Sequence, residues 1–122
     1  MSCLFNTLSK FINIDSLSLR HNICSYLQNN PFLYEDMKTE DVILWSNEGH
    51  SSLQDYINNM RNQSTWGGAI EIKCFCNMYN IKVIVEGHRN SEKPEIVEFL
   101  PEINKDPKFF IKIKWNGGHY YT

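Results

Sequence analysis

Apolar residues recur at helical spacing through the first part of the chain and alternate with polar ones in the last part. In "CLFNTLSKFI", Leu4, Leu8 and Phe11 form one stripe with Phe5 and Ile12 beside them, which predicts a first helix. Ser2 stands where an N-cap would close it. A second helix, "SLSLRHNICSYLQNN", starts at Asp15 or Ser16 and puts Leu19, Ile23, Tyr26 and Leu27 on one face. Asn29-Asn30-Pro31 ends it, because a residue before proline is pushed out of the helical region. "TEDVILWSNEG" predicts a short helix or turn. "SSLQDYINNMRNQ" predicts another helix, with Leu53, Tyr56, Ile57 and Met60 facing inward. "STWGG" reads as a loop or tight turn, and "AIEIKCFCNMYN" as a helix with Ile70, Cys74 and Met78 in a row.

The period then shortens. "IKVIVEG" is β-branched and partly alternating, a strand signature. "EIVEFLP" predicts a second strand after the turn-prone "GHRNSEKP". "KFFIKIKW" alternates, which nominates Phe110 (or its neighbour Phe109), Ile111, Ile113 and Trp115 for burial. "HYYT" predicts a short last strand after Gly117-Gly118. Helices first and strands afterwards predict an α+β domain, with helices packed on a small, mostly antiparallel sheet.

Composition narrows the function classes. The 122 residues fit one domain over 1–122, and 42% hydrophobic residues suffice for a core. The net charge of −2 gives no electrostatic footprint for nucleic acid, so no nucleic-acid partner is expected. No apolar run reaches the ~18–20 residues that span a bilayer, and "MSCLFNTLSKF" lacks the basic start of a signal peptide. The expectation is no membrane association and a cytoplasmic, reducing setting. The four cysteines, at 3, 24, 74 and 76, form no C-x-x-C pair, and no histidine pair stands at ligand spacing, so no metal site is expected. Cys24, Cys74 and Cys76 read as packing thiols. Cys74 and Cys76, two apart on a helix, point in different directions. Glu35, Asp36, Glu40, Asp41 and Glu48 form an acidic stretch between the second and fourth helices, the usual pattern of a solvated surface.

The chemistry concentrates at the two ends. A thiol attacks a carbonyl as thiolate, and a helix N-terminus favours that charge. Cys3 stands at the head of the first helix. His119 follows the Gly117-Gly118 turn at the start of a predicted strand, where a sheet could hold it against that helix as a base. His21, His50 and His88 read as solvated residues.

Four ordered segments resemble the ovarian-tumour (OTU) type of cysteine protease. "SCLFNTLSKF" is similar to its nucleophile motif, and "LRHNICSYLQNNP" to its second helix. "YINNMRNQSTWGGAIEIKCFCNMYNIKVIV" is similar to its Trp-Gly-Gly stretch, and "GGHYY" to its closing histidine motif. The resemblance implies an OTU-like, papain-type fold and hydrolysis of isopeptide or peptide bonds after the C-terminal glycine of ubiquitin or a ubiquitin-like modifier. It implies Cys3 as nucleophile, His119 as general base, and no cofactor. Trp66, Gly67 and Gly68 match a motif read as structural: the glycines permit close packing, and the tryptophan is expected to bury its ring against the sheet. Glu71 matches the motif's acid and is also read as structural, at a helix start where the dipole favours it. A ubiquitin tail, Leu-Arg-Gly-Gly, would need a groove narrow at the glycines, with acidic or polar groups for the arginine. The acidic stretch is a candidate for meeting the modifier's basic face. The small size is similar to viral members, which would place the protein in the host cytoplasm.

Two positions depart from the family pattern. The family's Asp-Gly ahead of the nucleophile has no counterpart before Met1-Ser2-Cys3. The acid or amide two residues after the histidine is replaced by Tyr121, leaving Tyr121, Asn116 and Asn6 as candidates to orient the imidazole. Two readings stay open: a deubiquitinase-like protease that is weakened, or a catalytically impaired relative that binds ubiquitin or another protein.

Overall fold

The computed structural model describes residues 3–46, 52–88 and 93–122. The expected N-cap at Ser2, and His50 and Glu48, lie outside them. Among the described residues, five helices precede the larger sheet: α1 (Cys3–Ser9), α2 (Ser16–Asn29), α3 (Thr39–Ser46), α4 (Leu53–Met60) and α5 (Ala69–Tyr79). A small hairpin, β1 (Phe32–Tyr34) and β2 (Met37–Lys38), precedes α3. Strands β3 (Ile81–Gly87), β4 (Glu95–Phe99), β5 (Phe109–Trp115) and β6 (Tyr120–Tyr121) follow α5.

The helix ends are set by local chemistry. Asp15 caps α2 by accepting the Ser18 N–H at 2.7 Å. Ser52 caps α4 by accepting the Asp55 N–H at 3.1 Å. Asn80, left-handed at φ 57°, ends α5 and turns the chain into β3.

The larger sheet runs β4-β3-β5-β6. β3 pairs antiparallel with β4 and parallel with β5, and β5 pairs antiparallel with β6. The α+β expectation holds, and antiparallel pairings predominate among the described residues, but the centre of the sheet is parallel. The parallel pair needs a crossover, which residues 100–108 supply. α5 holds that crossover: Lys73 Nζ binds the Leu100 carbonyl and the Glu102 carboxylate, and Asn77 Oδ1 accepts the Glu102 N–H at 3.0 Å.

Leu4, Phe5 and Leu8 of α1, Ile23 and Cys24 of α2, Phe75 and Cys76 of α5, and Val83 and Ile113 of the sheet share one core. In β5 an expectation of burial fails. Phe109 and Phe110 are 71% and 64% exposed. Phe109 is in phase with buried Ile113 but sits at the strand's first residue, beyond the helical cover. Phe110 points to the opposite face, level with Lys82 of β3. Among the described residues no helix is long and apolar enough to cross a membrane.

Candidate active site

Cys3 is the first residue of α1 and is half-buried. Leu4, Phe5 and Leu8 sink the other side of this helix into the core, which fixes where the thiol stands. Cys24, Cys74 and Cys76 are buried, as expected of packing thiols. Burial pushes the thiols of Cys24 and Cys76 up to about 11, and raises that of Cys74 well above its ordinary value. All three stay protonated at neutral pH and are poor nucleophiles.

The hairpin between β5 and β6 delivers His119. Trp115 pairs with Tyr120 across it. The Asn116 N–H donates to the His119 carbonyl at 3.1 Å, and Asn116 Oδ1 accepts the Gly118 N–H at 3.1 Å. Gly117 takes φ 102°, which a side chain would strain. Asn116 therefore shapes the turn that carries the histidine, and its carboxamide oxygen is committed there. Thr7 Oγ1 donates to the Tyr120 carbonyl at 3.2 Å and ties β6 to α1. Burial, reinforced by the nearby Glu71 and Cys3, pushes the Tyr120 phenol up.

These attachments create a cleft of about 580 Å³ lined by Cys3, Asn6, Thr7 and Lys10 from α1 and its C-terminal turn, by Trp66, and by Gly118 to Thr122. Cys3 and His119, from opposite ends of the sequence, share it. Asn6 and Tyr121 line it too, whereas Asn116 does not. The Tyr121 ring lies nearly parallel to the His119 ring, 13° between planes and 6.2 Å between centroids.

The Trp-Gly-Gly stretch divides into different tasks. A Cβ on Gly67 would come within 2.9 Å of Leu4 Cδ2 and Phe5 Cε2, so only glycine lets this loop press onto the first turn of α1. The Gly68 N–H donates to Glu71 Oε1 at 2.7 Å, closing the start of α5, and the Tyr56 hydroxyl donates to Glu71 Oε2 at 2.6 Å. Glu71 is buried, as a structural acid should be. Trp66 is not. Its ring is 54% exposed, rests against Gly118 and lines the cleft, which corrects the expectation of a core residue. The physical reason is Gly67: anchored on α1, it turns the preceding side chain outward.

Arg20 was not singled out by its motif. It is 2% exposed and its guanidinium donates to the carbonyls of Met60, Asn62, Gln63 and Thr65. It also stacks 4.2 Å above the Phe5 ring. One arginine thus fixes the loop leading to Trp66 and braces α1 below Cys3. The signal was available, since Arg20 precedes Ile23, Cys24 and Leu27 at helical spacing within an apolar stripe. His21 is exposed, 3.4 Å from Arg61, and His88 pairs with Glu86 at 2.8 Å; neither lines the cleft. No group of three or more metal-ligating side chains occurs among the described residues.

The family model of the OTU-like cysteine proteases matches residues 2–120. The ubiquitin thioesterase OTU1 of Dictyostelium discoideum is 33% identical over 86 residues, which cover 67% of this chain and 23% of that protein. The chain therefore spans less than a quarter of that relative's length. A solved ovarian tumor (OTU) domain in complex with ubiquitin superposes with a TM-score of 0.72 at 28% identity, covering 99% of this chain and 62% of that one. The viral OTU domain protease from Dera Ghazi Khan virus gives a TM-score of 0.72 at 18% identity, covering 98% of this chain and 71% of that one, a likeness of fold.

Proposed function

The chain belongs to the OTU-like cysteine proteases, and from that premise we propose that it hydrolyses isopeptide or peptide bonds after the C-terminal glycine of ubiquitin or a ubiquitin-like modifier. The observation that carries this reading is the delivery of a thiol, Cys3, and an imidazole, His119, to one cleft. The ubiquitin bound to a 28% identical OTU domain supports the choice of substrate.

In this reading His119 takes the Cys3 proton, and the thiolate adds to the carbonyl carbon of the terminal glycine. The Cys3 N–H, in a first helical turn whose donors have no partner within the helix, faces the developing oxyanion. One such donor contributes roughly 3–4 kcal/mol in proteases. His119 then gives its proton to the departing amine as the C–N bond breaks. A thioester remains on Cys3. Water, deprotonated by His119, attacks it and releases the modifier's carboxylate and the thiolate. Tyr121 and Asn6 take the orienting role that an acid fills in the family: the parallel phenol ring restricts imidazole rotation, and Asn6, one turn from Cys3, offers an amide oxygen. Trp66 and Gly118 line the cleft together with Cys3, where the modifier's Gly-Gly tail would lie.

One observation favours a second reading. No Asp or Glu side chain lines the cleft among the described residues, so no acidic side chain there offsets an imidazolium charge. A catalytically impaired module would then bind the modifier without turnover. Hydrolysis of ubiquitin carrying an amide-linked fluorophore at its C-terminus separates the two. A protease releases fluorophore, slowly, and loses the activity in both Cys3→Ala and His119→Ala. Tight binding of ubiquitin with no release from the unmodified protein would establish the second reading.

A further inference from the structure

Lys10 is the one charged side chain lining the cleft, and no ion pair engages it among the described residues. Cys3, Asn6, Thr7 and Lys10 fall three or four residues apart, so they form one face of α1 and its C-terminal turn. Seven residues along a helix place Lys10 about 10 Å from Cys3.

The two flanks of Cys3 differ in charge. Toward the first turn of α1, the cleft wall is made by the Trp66 ring beside Gly118, neither of them charged. An uncharged glycine-glycine tail would meet no fixed charge on that flank. The other flank runs past Asn6 to Lys10. An acyl chain that carries arginine just before its glycines would be repelled by Lys10, so that flank suits the opposite side of the scissile bond. Within about 10 Å of the broken bond, the groups found there are the neighbours of the lysine whose amine departs.

We infer that Lys10 is a specificity-determining residue that selects leaving groups with an acidic side chain next to the acceptor lysine. The inference rests on the protease reading above. It deepens that reading by naming the class of acceptor. Lys10 takes no part in bond breaking; its ammonium attracts a carboxylate and repels a cation. An exposed ion pair of this kind changes rates by about two- to fivefold. Salt should weaken the effect, because it screens the attraction between exposed charges.

Two substrates test it: ubiquitin joined through its C-terminal glycine to the lysine of a short peptide flanked by glutamates, and the same conjugate flanked by arginines. The readout is the ratio of their kcat/KM values, which cancels any general effect on activity. The inference requires a ratio of about two to five in favour of glutamate for the unmodified protein, falling toward one at high salt. Lys10→Glu must invert it. A ratio of one, or a ratio unchanged in Lys10→Glu, overturns the inference and leaves the protease reading intact. Failure to cleave either conjugate, together with no reaction of Cys3 with ubiquitin bearing a C-terminal electrophile, overturns the protease reading and this inference with it.

Discussion

Trp66 illustrates how one side chain can be misplaced by its neighbours' logic. An aromatic residue before two glycines suggests an anchor, yet the anchor is Gly67, pressed against Leu4 and Phe5. A core tryptophan would cost ~3–5 kcal/mol when truncated. With half its surface already in solvent, Trp66→Ala should cost only about 2 kcal/mol, read as a modest shift of the urea midpoint. The same variant should raise KM for a ubiquitin substrate several-fold, since Trp66 lines the cleft that holds Cys3 and His119. A large loss of stability with unchanged KM would return Trp66 to the core. That Cys3 and His119 share a cleft was legible at this scale because each leaves a local mark: a thiol at a helix start, and an imidazole after a Gly-Gly turn. The orientation of Trp66 was not, because a loop has no period to set the phase of its side chains.

At the scale of elements, the helices and the four later strands could be read from apolar spacing. The β1–β2 hairpin could not, since strands of three and two residues are too short to show alternation. The parallel pairing of β3 with β5 was equally hidden, because the 100–108 crossover is held by Lys73 and Asn77 of α5, distant in sequence. Arg20 joins elements in the same way. Its four carbonyl acceptors lie in the segment after α4, and the buried Glu71 adds to its electrostatic surroundings. Arg20→Met would strip those carbonyls of a donor and leave the Glu71 charge less compensated. The expected loss is about 3–5 kcal/mol in urea unfolding. Hydrolysis should fall as well, because the loop bearing Trp66 and the helix bearing Cys3 lose their common brace. A stability change below about 1 kcal/mol would show that the arginine's contacts are dispensable.

For the whole molecule, Glu102 links the crossover to the rest of the fold and makes stability depend on acid. Burial would raise its carboxyl, but hydrogen bonds from Lys105, Lys73 and the Glu35 N–H outweigh that and bring it down to about 2. A carboxyl lowered from its unfolded value of about 4.3 contributes stability above that value and loses it as pH falls toward about 2. After allowance for solvent screening, the contribution is about 1–2 kcal/mol. Glu102→Gln should therefore be less stable by that amount at neutral pH, and the gap should close between about pH 4.3 and 2. A gap that does not change with pH would exclude this linkage. The proposed pairing of Cys3 and His119 as nucleophile and base concerns the whole chain too, since folding brings both to one cleft. Ubiquitin bearing a C-terminal electrophile tests it most directly, read by intact-mass spectrometry and peptide mapping. Because Cys24, Cys74 and Cys76 are buried and protonated, the account predicts a single adduct, on Cys3. The adduct should be absent in Cys3→Ala and form at least tenfold more slowly, by order of magnitude, in His119→Ala. No adduct, an adduct on another cysteine, or undiminished labelling in His119→Ala would contradict it.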